Sequence, residues 1–324
     1  MSPRELDEDD VRVRPGRGSR PRTKQRPKHE NAVPATVIAV DRGRFTCRVE
    51  DANVTAMRAR ELGRSKVVVG DRVGLVGDLS GAEGTLARIV RVEDRTSVLR
   101  RTADDTDPFE RIIVANADQL IIVTALADPP PRTGFIDRCL VAAFAGNLKP
   151  VLCLTKSDLA DPGALLATYS ELLGVEAVST RHDQDPVDLR ERLPDQTSVL
   201  VGHSGVGKST LVNRLVPDAD RAVSQVSAVG KGRHTSSSAV ALELPAGGWV
   251  IDTPGVRSFG LAHVTPADVL VAFPDLQPGT EDCPRGCDHS GPEVECALDE
   301  WVAQGHAERA RLDSYRRLIA QISG

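Results

Sequence analysis

The stretch "VGHSGVGKST", Val201–Thr210, decides the fold of this chain, because Gly202 to Ser209 fit the phosphate-loop pattern G-x-x-x-x-G-K-[ST]. Apolar residues before the loop predict a strand, and Leu211–Val216 predicts a helix after it, which is the context that the pattern requires. Glycines in such a loop let backbone N–H groups face phosphate oxygens, and the helix N-terminus adds partial positive charge. The stretch therefore predicts an α/β domain that binds a phosphorylated ligand.

Two side chains of the loop have their own predicted roles. Lys208 is expected to reach the β and γ phosphates of a nucleoside triphosphate, and the Ser209 hydroxyl is expected to bind Mg²⁺. The predicted nucleotide contacts of the loop are Gly202, His203, Ser204, Gly205, Val206, Gly207, Lys208, Ser209 and Thr210.

A second phosphate-side motif, Asp252-Thr-Pro-Gly255, ends the apolar run "GWVI". A carboxylate at a strand end beside the phosphate loop can hold Mg²⁺ through water, and Gly255 can donate its N–H to a γ phosphate. Between the two motifs lies "GKGRHTSSS", residues 230–238, where Thr235 is the candidate for a second Mg²⁺ hydroxyl. Such a loop orders around the γ phosphate and relaxes after hydrolysis; the alternative is an ordinary glycine-rich loop.

The sequence "TKSD", Thr155–Asp158, ends another apolar run and predicts recognition of guanine. The Asp158 carboxylate can accept hydrogen bonds from N1–H and the exocyclic amine of guanine, which adenine does not offer in that arrangement. The Lys156 stem can pack over the base, and the residues after "VEAV" fit the companion loop at the guanine carbonyl. The predicted base-side contacts are Thr155, Lys156, Ser157, Asp158, Ser179 and Thr180.

The motifs together are those of a GTPase in permuted order, with the base motifs ahead of the phosphate loop. Because a parallel sheet keeps its site at the carboxyl edge of its strands, moving the chain termini leaves that site intact. The alternative, an ATP-dependent kinase or ATPase, requires Asp158 to play no part in base recognition.

The rest of the chain divides into segments of different pattern. Five short runs rich in Val and Thr in residues 33–98 predict an oligonucleotide-binding-type β-barrel. Strands alternating with helices in residues 99–272 predict the permuted GTPase domain, with a parallel sheet covered on both faces. Residues 273–324 begin with a Cys-bearing loop and end in two helical stretches separated by Gly305.

The charge distribution points to nucleic acid. Exposed arginines are in surplus on the predicted barrel at Arg42, Arg44, Arg48, Arg58, Arg60 and Arg64. Aromatic residues make up only 3% of the chain, which favours backbone and shape recognition over base stacking. Residues 1–32 predict a disordered arm, acidic at first and basic in residues 11–28, that either grips phosphate or only solubilises the chain. The barrel likewise has a purely structural role as its alternative.

The expected cellular compartment decides whether the cysteines form disulfides. No apolar run approaches the roughly 18 residues that span a bilayer, and the charged N-terminus does not fit a signal peptide. We therefore expect a cytoplasmic protein without disulfides, and we also expect it to be a monomer. The clustered Cys283, Cys287, His289 and Cys296 then predict one closed structural zinc site in a helical C-terminal domain, with simple buried thiols as the alternative.

In its motifs and their order, the chain from about residue 33 to its end resembles the circularly permuted, ribosome small-subunit-dependent GTPases of the RsgA/YjeQ family. The resemblance rests on "TKSD", "GHSGVGKST", "GRHTSSS", "DTPGVRSFG", the Cys/His cluster and the terminal "ALDEWVAQGHAERARLDSYRRL". It implies hydrolysis of GTP to GDP and phosphate, stimulation by the 30S subunit, contact with ribosomal RNA and a role in late maturation of that subunit. A GTP-gated RNA-binding or scaffold protein with incidental hydrolysis is the alternative.

Three features depart from that family. Thr155 stands where the base motif usually has Asn, which predicts weaker bracing of the loops but unchanged guanine selectivity. The cysteine spacing, C-x₃-C-x-H-x₆-C, differs from a family pattern nearer C-x₄-C-x-H-x₅-C, and the basic arm is not a family-wide feature.

In catalysis, Val256 occupies the place of the water-orienting Gln of Ras-like enzymes, so His234 is the candidate that orients water. The alternative is that His234 is a loop histidine that contacts RNA or solvent.

Overall fold

The apolar runs become strands in the computed structural model, which describes residues 29–63, 66–101, 111–171, 173–181, 183–217, 219, 239–253, 261, 264–291 and 295–322. The strands are β1 (Val33–Asp41), β2 (Arg44–Val49), β3 (Ala52–Arg58), β4 (Arg72–Gly77), β5 (Ala87–Val92), β6 (Val98–Arg101), β7 (Arg111–Ala115), β8 (Gln119–Ala125), β9 (Lys149–Thr155), β10 (Glu176–Thr180), β11 (Thr197–Val201), β12 (Val240–Glu243) and β13 (Trp249–Asp252). The α-helices are α1 (Thr133–Ala145), α2 (Gly163–Leu165), α3 (Val187–Arg190), α4 (Lys208–Leu215), α5 (Pro266–Leu270), α6 (Ala297–Ala303) and α7 (Arg309–Ile319).

Strands β1 to β5 close into the predicted five-stranded barrel. Neighbouring strands follow the order β1-β2-β3-β5-β4, and β4 returns to pair with β1, so the barrel has no open edge. Pairing is antiparallel except between β3 and β5, which run parallel. The alternation of buried and exposed residues fills the interior with small aliphatic side chains, among them Val37, Val54, Leu75 and Ile89. The prediction of a barrel is confirmed.

The predicted parallel sheet of the permuted GTPase fold is also confirmed. Strands β10, β9, β8, β11 and β13 lie side by side in that order and all run parallel. Every residue of β8 is buried, as expected for a strand covered on both faces. Helix α1 packs against β8 and β9 through an apolar face. The apolar spacing of "GALLATYSELLG" favours one continuous helix, but the stretch forms only the short α2 followed by a π-helical turn, Leu166–Glu171.

One sheet runs through both parts of the chain, which the sequence did not predict. Strand β12 pairs antiparallel with β13, and its Val240 lies opposite Ala39 of β1, so the GTPase sheet continues into the barrel. Arg48 of β2 pairs with Glu243 of β12, and its guanidinium carbon lies 5.7 Å from the ring centroid of Trp249. The barrel and the parallel sheet are therefore joined by both backbone and side-chain contacts.

The C-terminal helices share the hydrophobic core of the GTPase sheet. Leu298 of α6 and Leu312 of α7 are fully buried in the same apolar cluster as α1. Beside them, Arg317 Nε lies 3.3 Å from Oδ2 of the buried Asp137, whose Oδ1 accepts a 3.0 Å hydrogen bond from the Tyr169 hydroxyl. The divisions at residues 32/33, 98/99 and 272/273 stay predictions. Among the described residues, no helix has the length and apolarity needed to cross a membrane.

Candidate nucleotide-binding site

The predicted motifs meet at one edge of the parallel sheet. Thr155, Thr180, Val201 and Asp252 each end one of its strands, β9, β10, β11 and β13 respectively. Since these strands run parallel, their carboxyl ends lie together, and the strand order sets base motifs on one side and phosphate motifs on the other. The permuted connection therefore brings the predicted motifs to one surface.

The phosphate loop has the backbone geometry that its glycines permit. A Cβ on Gly202 would lie 2.6 Å from the carbonyl oxygen of Val123 in β8, so a side chain at that position does not fit. Gly207 has φ +90°, a left-handed conformation, and precedes the first residue of α4. The chain thus turns sharply from β11 into α4, and the amino end of that helix faces the sheet edge.

Two contacts connect the phosphate loop with the end of β13. The Lys208 ammonium forms an ion pair with the Asp252 carboxylate. The buried Thr253 hydroxyl donates a 2.7 Å hydrogen bond to the carbonyl of Leu200 in β11. The structure therefore places the predicted phosphate-binding lysine beside the predicted Mg²⁺-side carboxylate, with the Ser209 side chain exposed at the start of the same helix.

The base motif is bonded directly to the phosphate loop. The buried Thr155 hydroxyl lies 2.6 Å from the carbonyl oxygen of Val206 and 3.3 Å from that of Thr124, and it donates to one of these acceptors at a time. Lys156, which has φ +55°, directs its ammonium to the carbonyl of Asp128 in the loop after β8. Three loops at the sheet edge are thereby held in a fixed relation.

A cavity of about 350 Å³, including its open mouth, lies between the two base motifs and α4. Of the predicted base contacts, Thr155, Lys156 and Thr180 line it, whereas Ser157, Asp158 and Ser179 lie in the adjoining segments outside its lining. The remaining lining residues are Arg181, Gln184, Pro186, Gly207, Thr210, Leu211 and Arg214. Arg181, Gln184, Pro186, Leu211 and Arg214 were not predicted as contacts, because no short motif marks them.

Two arginines fasten the loop after β10 to α4. Arg214, in the last turn of α4, donates to the carbonyls of Gln184 and Arg181, the latter at 3.4 Å. In return Arg190 of α3 donates a 2.7 Å hydrogen bond to the Arg214 carbonyl and a 2.8 Å hydrogen bond to Asp185. The wall of the base-side cavity is therefore tied to the helix that begins at the phosphate loop.

His203, the second residue of the phosphate loop, packs on Phe135 of α1 with ring centroids 4.1 Å apart. Burial, and secondarily the positive charge of Arg132, lowers the pKa of His203 below its usual value. The imidazole is therefore neutral at physiological pH and acts as an apolar contact between the loop and α1.

The predicted switch lies outside the described residues. His234, Thr235, Gly255 and Val256 all fall there, so their roles stay predictions. Of the three residues predicted around Mg²⁺, the structure describes Ser209 and Asp252.

The clustered cysteines and histidine converge on one point in the C-terminal segment. Ligand atoms of Cys283, Cys287, His289 and Cys296 all lie within 4.8 Å of one another. The three sulfurs lie 3.5, 3.5 and 3.6 Å from His289 Nδ1. Tetrahedral zinc, with bonds of roughly 2.3 Å to sulfur and roughly 2.0–2.1 Å to nitrogen, requires an S···N separation of about 3.6 Å. The residues present thus fit one tetrahedral metal ion, despite the altered cysteine spacing.

Neighbouring groups orient this cluster. Backbone N–H groups at the start of α6, those of Ala297 and Leu298, donate to the sulfurs of Cys283 and Cys296. Arg316 donates a 3.1 Å hydrogen bond to the His289 carbonyl and is held by Asp299 through bonds of 2.6 and 2.9 Å. Helices α6 and α7 therefore both support the candidate metal centre.

A phosphate loop, a strand-end carboxylate and a base-side cavity on one edge of a parallel sheet define a P-loop nucleotide-binding protein. Residues 92–262 match the family model described as RsgA GTPase. Over 289 residues the chain is 35% identical to the small ribosomal subunit biogenesis GTPase RsgA of Chlorobaculum parvum, covering 86% of this chain and 91% of that protein. This chain belongs to the RsgA GTPase family.

Solved structures agree with that assignment. The crystal structure of YjeQ from Thermotoga maritima superposes with a TM-score of 0.66 at 27% identity, covering 90% of this chain and 98% of that one. YloQ, described as a circularly permuted GTPase, superposes with a TM-score of 0.64 at 24% identity, over 92% of this chain and 97% of that one. The second match supports the fold alone, and both confirm the permuted arrangement.

Proposed function

We propose that this chain binds GTP with Mg²⁺, hydrolyses it to GDP and phosphate, and does so on the 30S ribosomal subunit during late maturation. The main support for nucleotide binding is the contact between the Thr155 hydroxyl and the Val206 carbonyl. This contact holds the base-side cavity next to the phosphate loop. Family membership supports GTP hydrolysis as the activity of that frame.

On the phosphate side, backbone N–H groups from Gly202 to Thr210 bind the phosphate oxygens, and Lys208 neutralises the β and γ phosphates. Ser209, Thr235 and, through water, Asp252 hold Mg²⁺, which supplies charge stabilisation at the phosphates. Support comes from the position of Lys208 against Asp252 and from the exposed Ser209 at the start of α4.

On the base side, Asp158 accepts hydrogen bonds from guanine, and Lys156 packs along the ring. Thr180 lines the cavity from β10, and Ser179 and Ser157 are proposed to contact the base from the adjoining segments. Thr155 stands in place of the usual Asn, and its single hydroxyl holds the base motif against the phosphate loop. Guanine selectivity is therefore retained with one side-chain hydrogen bond between the two motifs.

For hydrolysis, the side chain of Val256 has no polar group that can orient water, so His234 is our candidate for the water-orienting group. His234→Ala is expected to lower subunit-stimulated turnover about tenfold with nucleotide affinity unchanged, within the range of positioned catalytic groups. Turnover equal to that of the wild type removes His234 from the mechanism and leaves it a loop histidine.

Relatives named as small ribosomal subunit biogenesis GTPases support the 30S subunit as the partner. Exposed arginines on the barrel, including Arg42, Arg44, Arg58 and Arg60, offer cations for ribosomal RNA phosphates. The cluster of Cys283, Cys287, His289 and Cys296 binds one structural zinc ion, which fixes the C-terminal segment against α1.

The deciding experiment measures GTP hydrolysis by the purified chain alone, with 30S subunits and with 50S subunits. Strong stimulation by 30S alone is the expected result. Intact GTP binding without stimulation would overturn the ribosomal part of the proposal and favour a GTP-gated RNA-binding protein. Equal competition by ATP would overturn the guanine assignment of Asp158.

A further inference from the structure

A second cavity, of about 470 Å³ including its open mouth, lies where the barrel meets the GTPase sheet. Its floor is apolar and buried, formed by Val37 and Ile38 of β1 with Ala241 of β12 and Ile251 of β13. Thr36, Arg72, Thr197 and Trp249 also line it. The cavity lies at the opposite ends of β11 and β13 from the phosphate loop, so the GTP site does not account for it.

The cavity is preformed. Asn116, another lining residue, donates from its side-chain amide to the Gly70 carbonyl at 3.0 Å and accepts from the Thr96 N–H at 2.9 Å. Arg48 lies over Trp249 and is itself paired with Glu243. These contacts hold the barrel, the linker after β5 and the sheet edge in one arrangement around the opening.

Trp249 differs from the other tryptophan in how its indole N–H is used. Trp301 donates a 2.9 Å hydrogen bond to the Asp275 carbonyl. Trp249 is half-buried, and within the described part of the chain no hydrogen bond reaches its Nε1. Aromatic residues are scarce in this chain, yet Trp249 is one of the residues that line this open cleft.

Two other polar side chains of the cleft, those of Arg72 and Thr36, can also donate hydrogen bonds. In the same described ranges, neither the exposed Arg72 guanidinium nor the Thr36 hydroxyl has a hydrogen-bond partner. None of the cavity-lining residues is acidic, and the nearby Glu243 is neutralised by Arg48. An aromatic ring, a cation and neutral donors around an apolar floor suit a ligand with a flat ring and an anionic group.

We propose that this cleft binds one unpaired nucleotide of a single-stranded RNA segment, with the base stacked on the face of Trp249 opposite Arg48 and a flanking phosphate held by Arg72. Single-stranded RNA is recognised in this way, through aromatic stacking and contacts of cations with the backbone. The proposal deepens the proposed function, because it rests on RNA of the small subunit being the partner. It also adds base stacking to a surface for which the composition predicted only backbone and shape recognition.

The first test uses the full chain and a ten-nucleotide oligouridine. Oligouridine is expected to quench tryptophan emission to saturation in wild type and in Trp301→Phe, but not in Trp249→Phe.

In anisotropy titrations with a labelled oligouridine, Trp249→Ala is expected to weaken binding about tenfold, the order of one lost stacked base. Arg72→Met is expected to weaken it severalfold, whereas Arg88→Met, an exposed barrel arginine outside the cavity, leaves it unchanged. Unchanged binding by Trp249→Ala would overturn the proposal, as would equal quenching by an RNA duplex or by uridine monophosphate alone.

The second test separates this inference from the proposed function. The 30S concentration that gives half-maximal GTPase stimulation is expected to rise about tenfold in Trp249→Ala, with intrinsic and maximal rates unchanged, and Trp249→Phe is expected to restore most of the affinity. No stimulation of the wild type refutes the proposed function. Stimulation of wild type and Trp249→Ala at the same 30S concentration refutes the inference alone. A shifted 30S dependence without oligouridine binding assigns the cleft to a protein partner and also refutes it.

Discussion

The Thr155 hydroxyl lies 2.6 Å from the carbonyl oxygen of Val206, so the end of β9 and the phosphate loop are held together by one side chain. Thr155 is buried, and its alternative acceptor is the carbonyl of Thr124 in β8 at 3.3 Å. A threonine therefore braces the two motifs where the family pattern has asparagine, but with a single donor. The predicted base motif and the predicted phosphate loop are connected through this position.

Replacing Thr155 by Val keeps the shape of the side chain and removes the donor. The buried Val206 carbonyl then loses its partner, which costs about 1–3 kcal/mol. We expect GTP and GDP affinities to fall together by roughly five- to 150-fold, since both nucleotides use the same base motif and phosphate loop. Titration with fluorescent GDP measures the effect, and Thr155→Ser, which keeps the hydroxyl, is the control. Wild-type affinity in Thr155→Val would show that the contact does not support the site.

Arg214 gives a second prediction, on the base side. Arg214→Met keeps the aliphatic stem but removes the donors to the Gln184 and Arg181 carbonyls, which loosens the cavity wall after β10. We expect a KM for GTP raised about five- to twentyfold with kcat nearly unchanged, because the interaction lost is the same in ground and transition states. Steady-state kinetics under 30S stimulation measure both constants.

Arg192→Met is the matched control for Arg214→Met. Arg192 pairs with Glu176 on the surface and does not line the cavity, so its loss is expected to leave KM unchanged. An equal rise of KM in both variants would mean that general destabilisation, and not the cavity wall, causes the effect.

The parts of the fold that were predictable are those fixed by local pattern. Buried runs such as Gln119–Ala125 and the glycines around Lys208 determine a strand and a loop by themselves, and parallel strands then bring their ends together. Strands β6, β7 and β12 were not predicted, because whether such short segments form strands depends on the strands that they pair with. Arg214 and Arg190 were missed for a related reason: each bonds to backbone carbonyls, which leave no sequence signal.

The Cys283–Cys296 cluster predicts a dependence of stability on metal. We expect about one zinc ion per chain by elemental analysis, and Cys296→Ser is expected to lose most of it. Because α6 and α7 share a core with α1, loss of the ion is expected to lower the melting temperature of the whole domain. Cys47→Ala, in the barrel core, is the control and should retain the metal. Full zinc content in Cys296→Ser would exclude that thiol as a ligand.

The last prediction concerns Asp275, which accepts hydrogen bonds of 2.6 and 2.7 Å from Arg311 of α7. The pKa of the Asp275 carboxyl lies below its usual value, mainly because of these hydrogen bonds from Arg311. A lowered carboxyl pKa contributes stability that is present above the unfolded pKa, about 3.9, and is lost as pH falls through the folded pKa. Asp275→Asn is therefore expected to cost about 1.5–3 kcal/mol in the free energy of unfolding at pH 7, the range for charged hydrogen bonds.

The difference between wild type and Asp275→Asn should stay constant from pH 8 to about pH 5 and shrink below about pH 4, as measured by urea unfolding at each pH. Asp313→Asn is the control on the same helix, because the exposed Asp313–Arg309 pair is worth only about 0.2–1 kcal/mol. A difference for Asp275→Asn that persists unchanged below the folded pKa would show that the carboxylate charge does not cause it. In that case the loss would come from packing around Phe273, whose ring centroid lies 5.2 Å from the Arg311 guanidinium carbon.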